Sequence, residues 1–388
     1  MIETFALCLY LAALPLEQFS AMGTTIIKLA GGLALAGWLL GRLRSHDPIR
    51  WDPGLTLMAL FGVWGTASTF WSMNPTRTIE KLPTYALLFV SYFLIVNVIR
   101  NEKQLSAAMV AMWLGALMLV VSGTVELAAA SLRMPGFRLG GISGNPNGYV
   151  STLLVLFPSC YWVVTRSRVL LIRVVAVAVL VLAGITSLYT LSRGGILSIA
   201  VLISAVLLSR RTRWRDRALV LVVAVLLLRL APLQLWQRFD ETRRRGGDVR
   251  TLDLWPAGLK ALARNPLTGS GLGTNVLAIS PLAEHEGKAV HNAPLAIAIE
   301  LGIPGLALYC SFVVFMTVRL LQALATGGKR GQSSKTQFAV VLLASLAGYL
   351  VGWFKGGGME YSKFLWVLLG LMSAYARILE QRPIVDDV

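Results

Sequence analysis

Twelve long apolar stretches, separated by short polar or charged segments, constrain this chain more than any other feature of its sequence. A membrane hydrocarbon core of roughly 30 Å is crossed by about 20 apolar residues in a helix. Only 14% of the 388 residues are charged and 56% are apolar, which is too little charge to cover a soluble globular protein. The sequence therefore predicts an all-α, polytopic integral membrane protein and excludes a soluble enzyme, a disordered regulator and a single-span receptor.

The twelve predicted transmembrane helices follow the apolar windows and end at polar or helix-breaking residues. They cover residues 3–19, 23–40, 53–70, 83–99, 105–130, 148–165, 169–188, 194–209, 218–235, 293–323, 337–354 and 361–379. No repeat period is present, so we expect a single membrane domain over residues 1–388. Its largest extramembrane segment is a loop over residues 236–292, between spans nine and ten, and this length is typical of a functional loop.

Basic residues indicate the orientation of the chain. Lys and Arg are concentrated in alternate short loops, such as residues 210–217, and the positive-inside rule places those loops in the cytoplasm. An even number of spans then puts both termini in the cytoplasm and the long loop in the periplasm. The net charge of +17 does not indicate a nucleic-acid partner, because the basic residues are dispersed between apolar segments. Lys81, Arg138 and Arg193 stand at the opposite helix ends, which this rule does not explain.

The long loop contains an amphipathic pattern. Apolar residues recur there at helical spacing, at Leu252, Trp255, Leu259 and Leu262. The pattern predicts a helix that starts near Asp253 and stops at Asn265, just before a proline. Such a helix either lies at the membrane interface or packs on the helical bundle, and the pattern does not decide between the two.

Two other motifs in this loop are weak. The segment Gly269–Gly273 lacks the Lys-Ser/Thr pair and the preceding strand of a phosphate loop, so it predicts a tight turn. The cluster of Glu284, His285, Glu286 and His291 opens like a zinc-protease helix, but the second His would have to stand at Ala289. We therefore expect neither a metal nor another cofactor.

The re-entry of the long loop into the membrane carries the most informative motif. His291-Asn292 is followed by nine residues and then by Gly302-Ile303-Pro304-Gly305. This string resembles the signature of the O-antigen ligase superfamily, which also includes O-antigen polymerases and bacterial O-linked oligosaccharyltransferases. Further motifs fit in order over roughly residues 130–310: Arg138 before Gly144-Asn145-Pro146-Asn147-Gly148, then Ser192-Arg193-Gly194-Gly195, then Arg250 to Trp255 followed by Asn265-Pro266-Leu267-Thr268-Gly269.

The resemblance implies an O-antigen ligase. Such an enzyme transfers a glycan from undecaprenyl diphosphate to a sugar hydroxyl of lipid A-core, at the periplasmic face of the bacterial inner membrane. By analogy the displacement is inverting and uses neither a metal nor a nucleotide. Arg193 and Arg250 are then the first candidates to bind the donor diphosphate, followed by Arg138 and Lys81, because the guanidinium fork grips phosphate oxygens. For each cation the alternative is a contact with lipid headgroups.

The resemblance also points to His291 as the general base for the acceptor hydroxyl. The alternatives are a positioning group, a phosphate ligand or a structural residue. Asn292, Glu300 and Glu360 are candidates to support it, although spacing assigns none of them.

Three other functions compete with the ligase. A polymerase that joins two lipid-linked repeats, and an oligosaccharyltransferase that modifies protein, use the same donor and chemistry. The second usually carries an extended periplasmic C-terminal region, whereas the last predicted span ends here at residue 379. A transporter would also have about twelve spans, but the long loop has no counterpart in the first half of the chain.

Overall fold

The computed structural model describes residues 1–17, 20–21, 24–45, 48–130, 137–244, 246–329, 333–355 and 362–381. These residues are mainly helical, and their one sheet is a short antiparallel hairpin of Ser20–Ala21 with Thr24–Thr25. The predicted all-helical, polytopic membrane fold is confirmed.

Fifteen α-helices lie in the described part of the chain. They are α1 Ile2–Ala12, α2 Ile26–Ser45, α3 Pro53–Ala67, α4 Pro75–Val98, α5 Glu102–Ala129, α6 Pro146–Arg166, α7 Leu170–Tyr189, α8 Arg193–Leu208, α9 Trp214–Leu230, α10 Leu233–Arg244, α11 Trp255–Arg264, α12 Asn275–Ile279, α13 Ala293–Lys329, α14 Ser333–Trp353 and α15 Lys363–Glu380. Each of the twelve predicted spans corresponds to one of these helices, and α10, α11 and α12 belong mainly to the predicted long loop.

Seven of the described helices are long and apolar enough to cross a membrane, namely α2, α4, α5, α6, α7, α13 and α14. An eighth span results if α9 and α10, which meet at 80°, are counted as one broken element. The predicted number of twelve is therefore not confirmed. The 15 residues of α3, at about 1.5 Å each, fall short of a hydrocarbon core of roughly 30 Å.

The centre of the bundle is α15, whose residues are almost all buried against α4, α13 and α14. A polar network ties these helices together at one end. The carboxylate of Asp52 caps α3 by accepting from the backbone N–H of Leu55 at 3.0 Å. It also accepts from Tyr92 at 2.9 Å, from Ser373 at 2.7 Å and from Arg319 at 3.2 Å. A buried carboxylate needs this many partners to offset its loss of hydration.

Helix α13 is interrupted at Gly302, where φ is 68° and ψ is −175°. A break of this kind leaves backbone carbonyls without helical partners. The carbonyls of the three preceding residues, Ile299, Glu300 and Leu301, accept instead from the N–H groups of Ser270 and Gly271 and from Nε1 of Trp64, each at 2.8 Å. The predicted tight turn at Gly269–Gly273 is thus packed against the break, and the amides of Ser270 and Gly271 are already used.

Candidate functional site

A cavity of about 450 Å³ opens where α8 begins and α14 ends, and we call it the cationic cavity. Its described walls carry six basic side chains and one carboxylate: Arg138, Arg193, Arg238, Arg243, Arg250, Lys355 and Asp248. Walls with this charge concentrate anions from solution. The cavity therefore fits a ligand that carries more than one negative charge.

Local backbone chemistry places Arg193 in this cavity. Ser192 caps α8 through a hydrogen bond from a backbone N–H of the first turn, and its hydroxyl donates to Asn147 at 2.7 Å. Arg193 is therefore the first residue of the helix, where the helix dipole adds positive potential. Its Nη2 atom donates to the carboxylate of Asp248 at 2.8 Å, and its Nη1 atom donates to the carbonyl of Arg238 at 3.2 Å.

Arg250 and Arg138 come from other elements to the same cavity. Arg250 opens the π-helical turn Arg250–Leu254, which leads into α11, and its guanidinium donates to the carbonyl of Lys355. Arg138 donates from Nε to the carbonyl of Thr190 at 3.2 Å. Burial lowers the pKa of both guanidinium groups, the neighbouring arginines lower it further, and Asp248 opposes the shift at Arg250. The cations are crowded, and an anion bound between them relieves that repulsion.

His291 lies beside this group of charges. Burial lowers the pKa of its imidazole below the ordinary 6.5, Arg250 and Lys288 lower it further, and Asp248 opposes the shift. The ring is consequently neutral at neutral pH and able to accept a proton. Its Nδ1 atom is buried and has no hydrogen-bond partner among the described residues.

Backbone strain also marks this region. Leu191 and His291, with φ of 49° and 52°, are the two non-glycine residues in the left-handed region within the described part of the chain. Leu191 lines the cationic cavity and directly precedes the cap of α8. Strained residues of this kind cost about 1–3 kcal/mol each and concentrate at functional sites.

Residues 178–310 match the family model described as O-antigen ligase. The matched segment, about a third of the chain, is similar to the O-antigen ligase family. The match confirms the family predicted from the motifs, and it indicates a membrane enzyme for glycosyl transfer of the O-antigen ligase or polymerase type. It includes Arg193, Arg250 and His291, whereas Arg138 and Lys355 lie outside it. No curated protein matches the chain.

Two of the three residues predicted to support His291, Asn292 and Glu300, have hydrogen-bond partners within the matched segment. Asn292 caps α13, since its side-chain oxygen accepts from the backbone N–H of Leu295 at 3.1 Å. Glu300 is fully buried and accepts from the backbone N–H of Asn275 at 3.3 Å and from the Asn275 side chain. Glu300 therefore holds α12 to α13, and its role toward His291 stays a prediction. Glu360 lies outside the described residues.

Lys81 is separate from the other predicted cations. It lies in α4, its side chain is against Gly273, and it does not line the cationic cavity. The structure brings Arg138, Arg193 and Arg250 together but does not bring Lys81 to them. Contact of Lys81 with the donor stays a prediction.

The predicted amphipathic helix is α11, which starts two residues later than expected because the π-helical turn precedes it. Its small residues Ala257, Gly258 and Ala261 face α13, while Leu252 and Leu259 are each 59% exposed. Packing on the helical bundle is therefore observed for one face, and contact of the exposed face with the membrane interface stays a prediction. Packing on α13 is what brings Arg250 close to His291.

Asp253, in the turn before α11, forms hydrogen bonds with two residues of the cluster that resembled a metal site. Its carboxylate accepts from the backbone N–H groups of Glu284 and His285, and it pairs with Nδ1 of His285 at 2.8 Å. These bonds, the one to Glu284 first, lower the pKa of Asp253. His285 therefore fastens the loop to α11.

Sequence reasoning did not single out Arg238, Arg243, Lys355 or Asp248. The first two lie on α10, which the sequence suggested only as part of a polar loop. Their signal in the sequence is the density of basic residues between residues 238 and 250. Lys355 follows α14, more than 100 residues away in sequence, and only the fold shows that it lines this cavity.

Proposed function

We propose that the chain is an O-antigen ligase that transfers a glycan from undecaprenyl diphosphate to a sugar hydroxyl of lipid A-core. The observation that carries this proposal is the cationic cavity beside His291, in which six basic residues surround a single carboxylate. A diphosphate matches this charge, and arginine binds phosphate oxygens through two parallel hydrogen bonds.

Donor binding begins at Arg193. Its Nη2 atom donates to Asp248 in the structure, and a diphosphate oxygen is an equivalent acceptor of higher charge. The donor therefore replaces Asp248 at Arg193, while Arg250 and Arg138 contact the other oxygens. These fixed cations also stabilise the negative charge that develops on the diphosphate as it leaves.

The chemical step uses the neutral imidazole of His291. The acceptor hydroxyl oxygen forms a bond to the anomeric carbon, and the bond from that carbon to the diphosphate oxygen breaks. The electron pair of the broken bond stays on undecaprenyl diphosphate, and the hydroxyl proton passes to His291. Direct displacement inverts the anomeric configuration, and the diphosphate linkage supplies the driving energy.

We also propose that the cationic cavity faces the periplasm of the bacterial inner membrane, with both termini in the cytoplasm. Support comes from the loop 210–217, whose arginines lie at the opposite end of α8 from Arg193. The test uses Arg213→Cys and Glu286→Cys, both at exposed positions, in a variant without the native cysteines. An impermeant thiol reagent should label position 286 in intact spheroplasts, and labelling of position 213 would reverse the orientation.

The activity itself is tested with purified protein and undecaprenyl-diphosphate-linked glycan, with or without rough lipopolysaccharide. Glycan-bearing lipopolysaccharide, together with release of undecaprenyl diphosphate, supports the ligase. Longer lipid-linked glycan in the absence of acceptor would instead identify a polymerase. Donor that crosses a vesicle membrane without being consumed would identify a transporter.

A further inference from the structure

A second cavity, of about 140 Å³, lies between α1, α2 and α4 and shares no lining residue with the cationic cavity. We call it the α2 cavity. One end is polar, with Glu17, Thr25, Lys28 and Lys363, and the rest is lined mainly by apolar side chains, including Leu87 and Leu94 of α4. A polar end joined to an apolar wall is the pattern of a lipid rather than of a sugar or a free ion.

Of the two lysines that line the α2 cavity, one is paired with a carboxylate and the other is not paired with any described residue. Nζ of Lys363 pairs with Glu17 at 2.8 Å, so these two groups compensate each other. Lys28 makes no ion pair with any residue that the structure describes. The described residues of the polar end therefore have a net charge of one positive, which matches the single negative charge of a phosphodiester.

Thr25 provides a second indication of a ligand. Its hydroxyl oxygen is buried and has no hydrogen-bond partner among the described residues. A buried hydroxyl without a partner is costly, so such groups are usually satisfied by a bound molecule when protein offers none. Thr25 and Lys28 line the same cavity, and both side chains would donate to a phosphate oxygen bound there.

The position in the membrane fits a headgroup. Lys28 lies in the first turn of α2, which is one of the seven candidate membrane spans, and Thr25 directly precedes that helix. This end of a span lies at the level of lipid phosphates, where the helix dipole also favours an anion. Leu87 and Leu94 are two turns apart on α4, so they follow the direction of an acyl chain.

We propose that the α2 cavity binds one anionic phospholipid, with its phosphate on Lys28 and Thr25 and an acyl chain along α4. The site is independent of the glycosyl-transfer chemistry, because none of its lining residues belongs to the cationic cavity.

Native mass spectrometry of the detergent-purified protein tests this proposal, with added phosphatidylglycerol as the probe and phosphatidylcholine as the neutral comparison. The wild type should retain one phosphatidylglycerol molecule, and Lys28→Gln should bind it about fivefold more weakly, the effect of one basic residue at a membrane surface. The matched control is Arg44→Gln at the other, exposed end of α2, which should bind like the wild type. Equal retention by Lys28→Gln and the wild type, or equal loss in Arg44→Gln, would overturn the proposal.

Thr25→Val removes the hydroxyl without disturbing a hydrogen bond within the described residues, and it should also weaken phosphatidylglycerol retention. Wild-type retention by this variant would contradict the contact between Thr25 and the phosphate. Inorganic phosphate distinguishes the source of the anion. It should not displace the lipid, and displacement at equal concentration would show that the cavity binds free phosphate instead.

Discussion

Charged side chains are arranged in opposite ways in two regions, one near each end of α13. Near its end, Arg319 pairs with Asp52, whose carboxylate is buried and also accepts from Tyr92, Ser373 and a backbone N–H. Near its start, the cationic cavity has six basic residues around Asp248 alone, whose side chain is 33% exposed. Asp52 and Arg319 compensate each other inside the protein, whereas the cationic cavity has a surplus of basic residues that we propose is compensated by the donor.

The presence of arginine at a helix end therefore does not by itself identify a binding site. What distinguishes the two regions is whether the protein itself supplies enough acceptors. A polar network whose members are all hydrogen-bonded contributes to stability. The proposed roles of the two regions therefore separate in experiments that measure activity and stability in the same variant.

The largest effect is expected for His291→Ala. A positioned general base contributes about 10² to 10⁴-fold to rate, so transfer to the acceptor should fall by that factor. The melting temperature in detergent and the affinity for the lipid-linked donor should stay near those of the wild type, because the cations remain.

His285→Ala is the matched control, since this imidazole is paired with Asp253 outside the cationic cavity. It should retain transfer. A stable His291→Ala protein with wild-type transfer would contradict the base role, and a parallel loss of donor affinity would make His291 a phosphate ligand.

Asp52→Ala should act on stability instead of chemistry. It leaves Arg319 without its carboxylate partner in a largely buried position, and breaking a buried pair in this way costs about 3–5 kcal/mol. The thermal midpoint in detergent should fall strongly. Protein that remains folded at low temperature should bind the lipid-linked donor like the wild type, and weaker donor binding there would erase the distinction between the two ends of α13.

Arg193 variants test the cationic cavity directly. A hydrogen bond to a charged group is worth about 1.5–3 kcal/mol, so Arg193→Ala should weaken donor binding roughly 10- to 100-fold. Arg193→Lys should have a smaller effect, because it keeps the charge but loses the two-pronged geometry. Titration with the lipid-linked donor measures both, and unchanged affinity in Arg193→Ala would remove this residue from the site.

Asp248→Asn should strengthen donor binding, since Asp248 occupies Arg193 in the absence of the donor. The pair is partly exposed, so the gain should be no more than about fivefold. The gain should disappear in an Arg193→Ala background if the two anions compete for Arg193. An equal gain in both backgrounds would mean that Asp248 acts only through long-range repulsion.

The smallest effect concerns pH. Burial lowers the pKa of His291, so the proton-accepting form persists below the ordinary value of 6.5 and is lost only when the pH falls through the lowered pKa. The transfer rate should therefore fall to half its maximum only below pH 6.5. A midpoint above pH 6.5 would contradict a lowered pKa, and His291→Ala should lack this acidic limb.

Much of the site was predictable because it depends on local chemistry at helix ends. Arg138, Arg193 and His291 stand beside short motifs with glycine, asparagine or serine, and these motifs form caps and turns in the structure. The membrane fold was predictable because apolar length alone requires it. Helix lengths were less predictable, since the apolar windows in the sequence continue past the actual ends of α1 and α3.

The rest of the site depends on contacts between residues far apart in sequence, which no local sequence pattern predicts. Lys81 carries the same signal as Arg138, a cation at a helix end, yet α4 places it against Gly273 and not in the cationic cavity. Lys355 has a weaker signal but lines that cavity because α14 ends there. Arg238 depends on how α10 folds back after α9.

The interruption of α13 at Gly302 determines what sets the position of His291. The segment before Gly302 is bonded through Ser270 and Trp64 to the turn and to α3, and Ser270 also accepts from the backbone of Met73. The long segment after Gly302 lacks a continuous hydrogen-bond ladder to the histidine. The position of His291 therefore depends on the turn at Ser270 and on α3 as well as on the rest of α13.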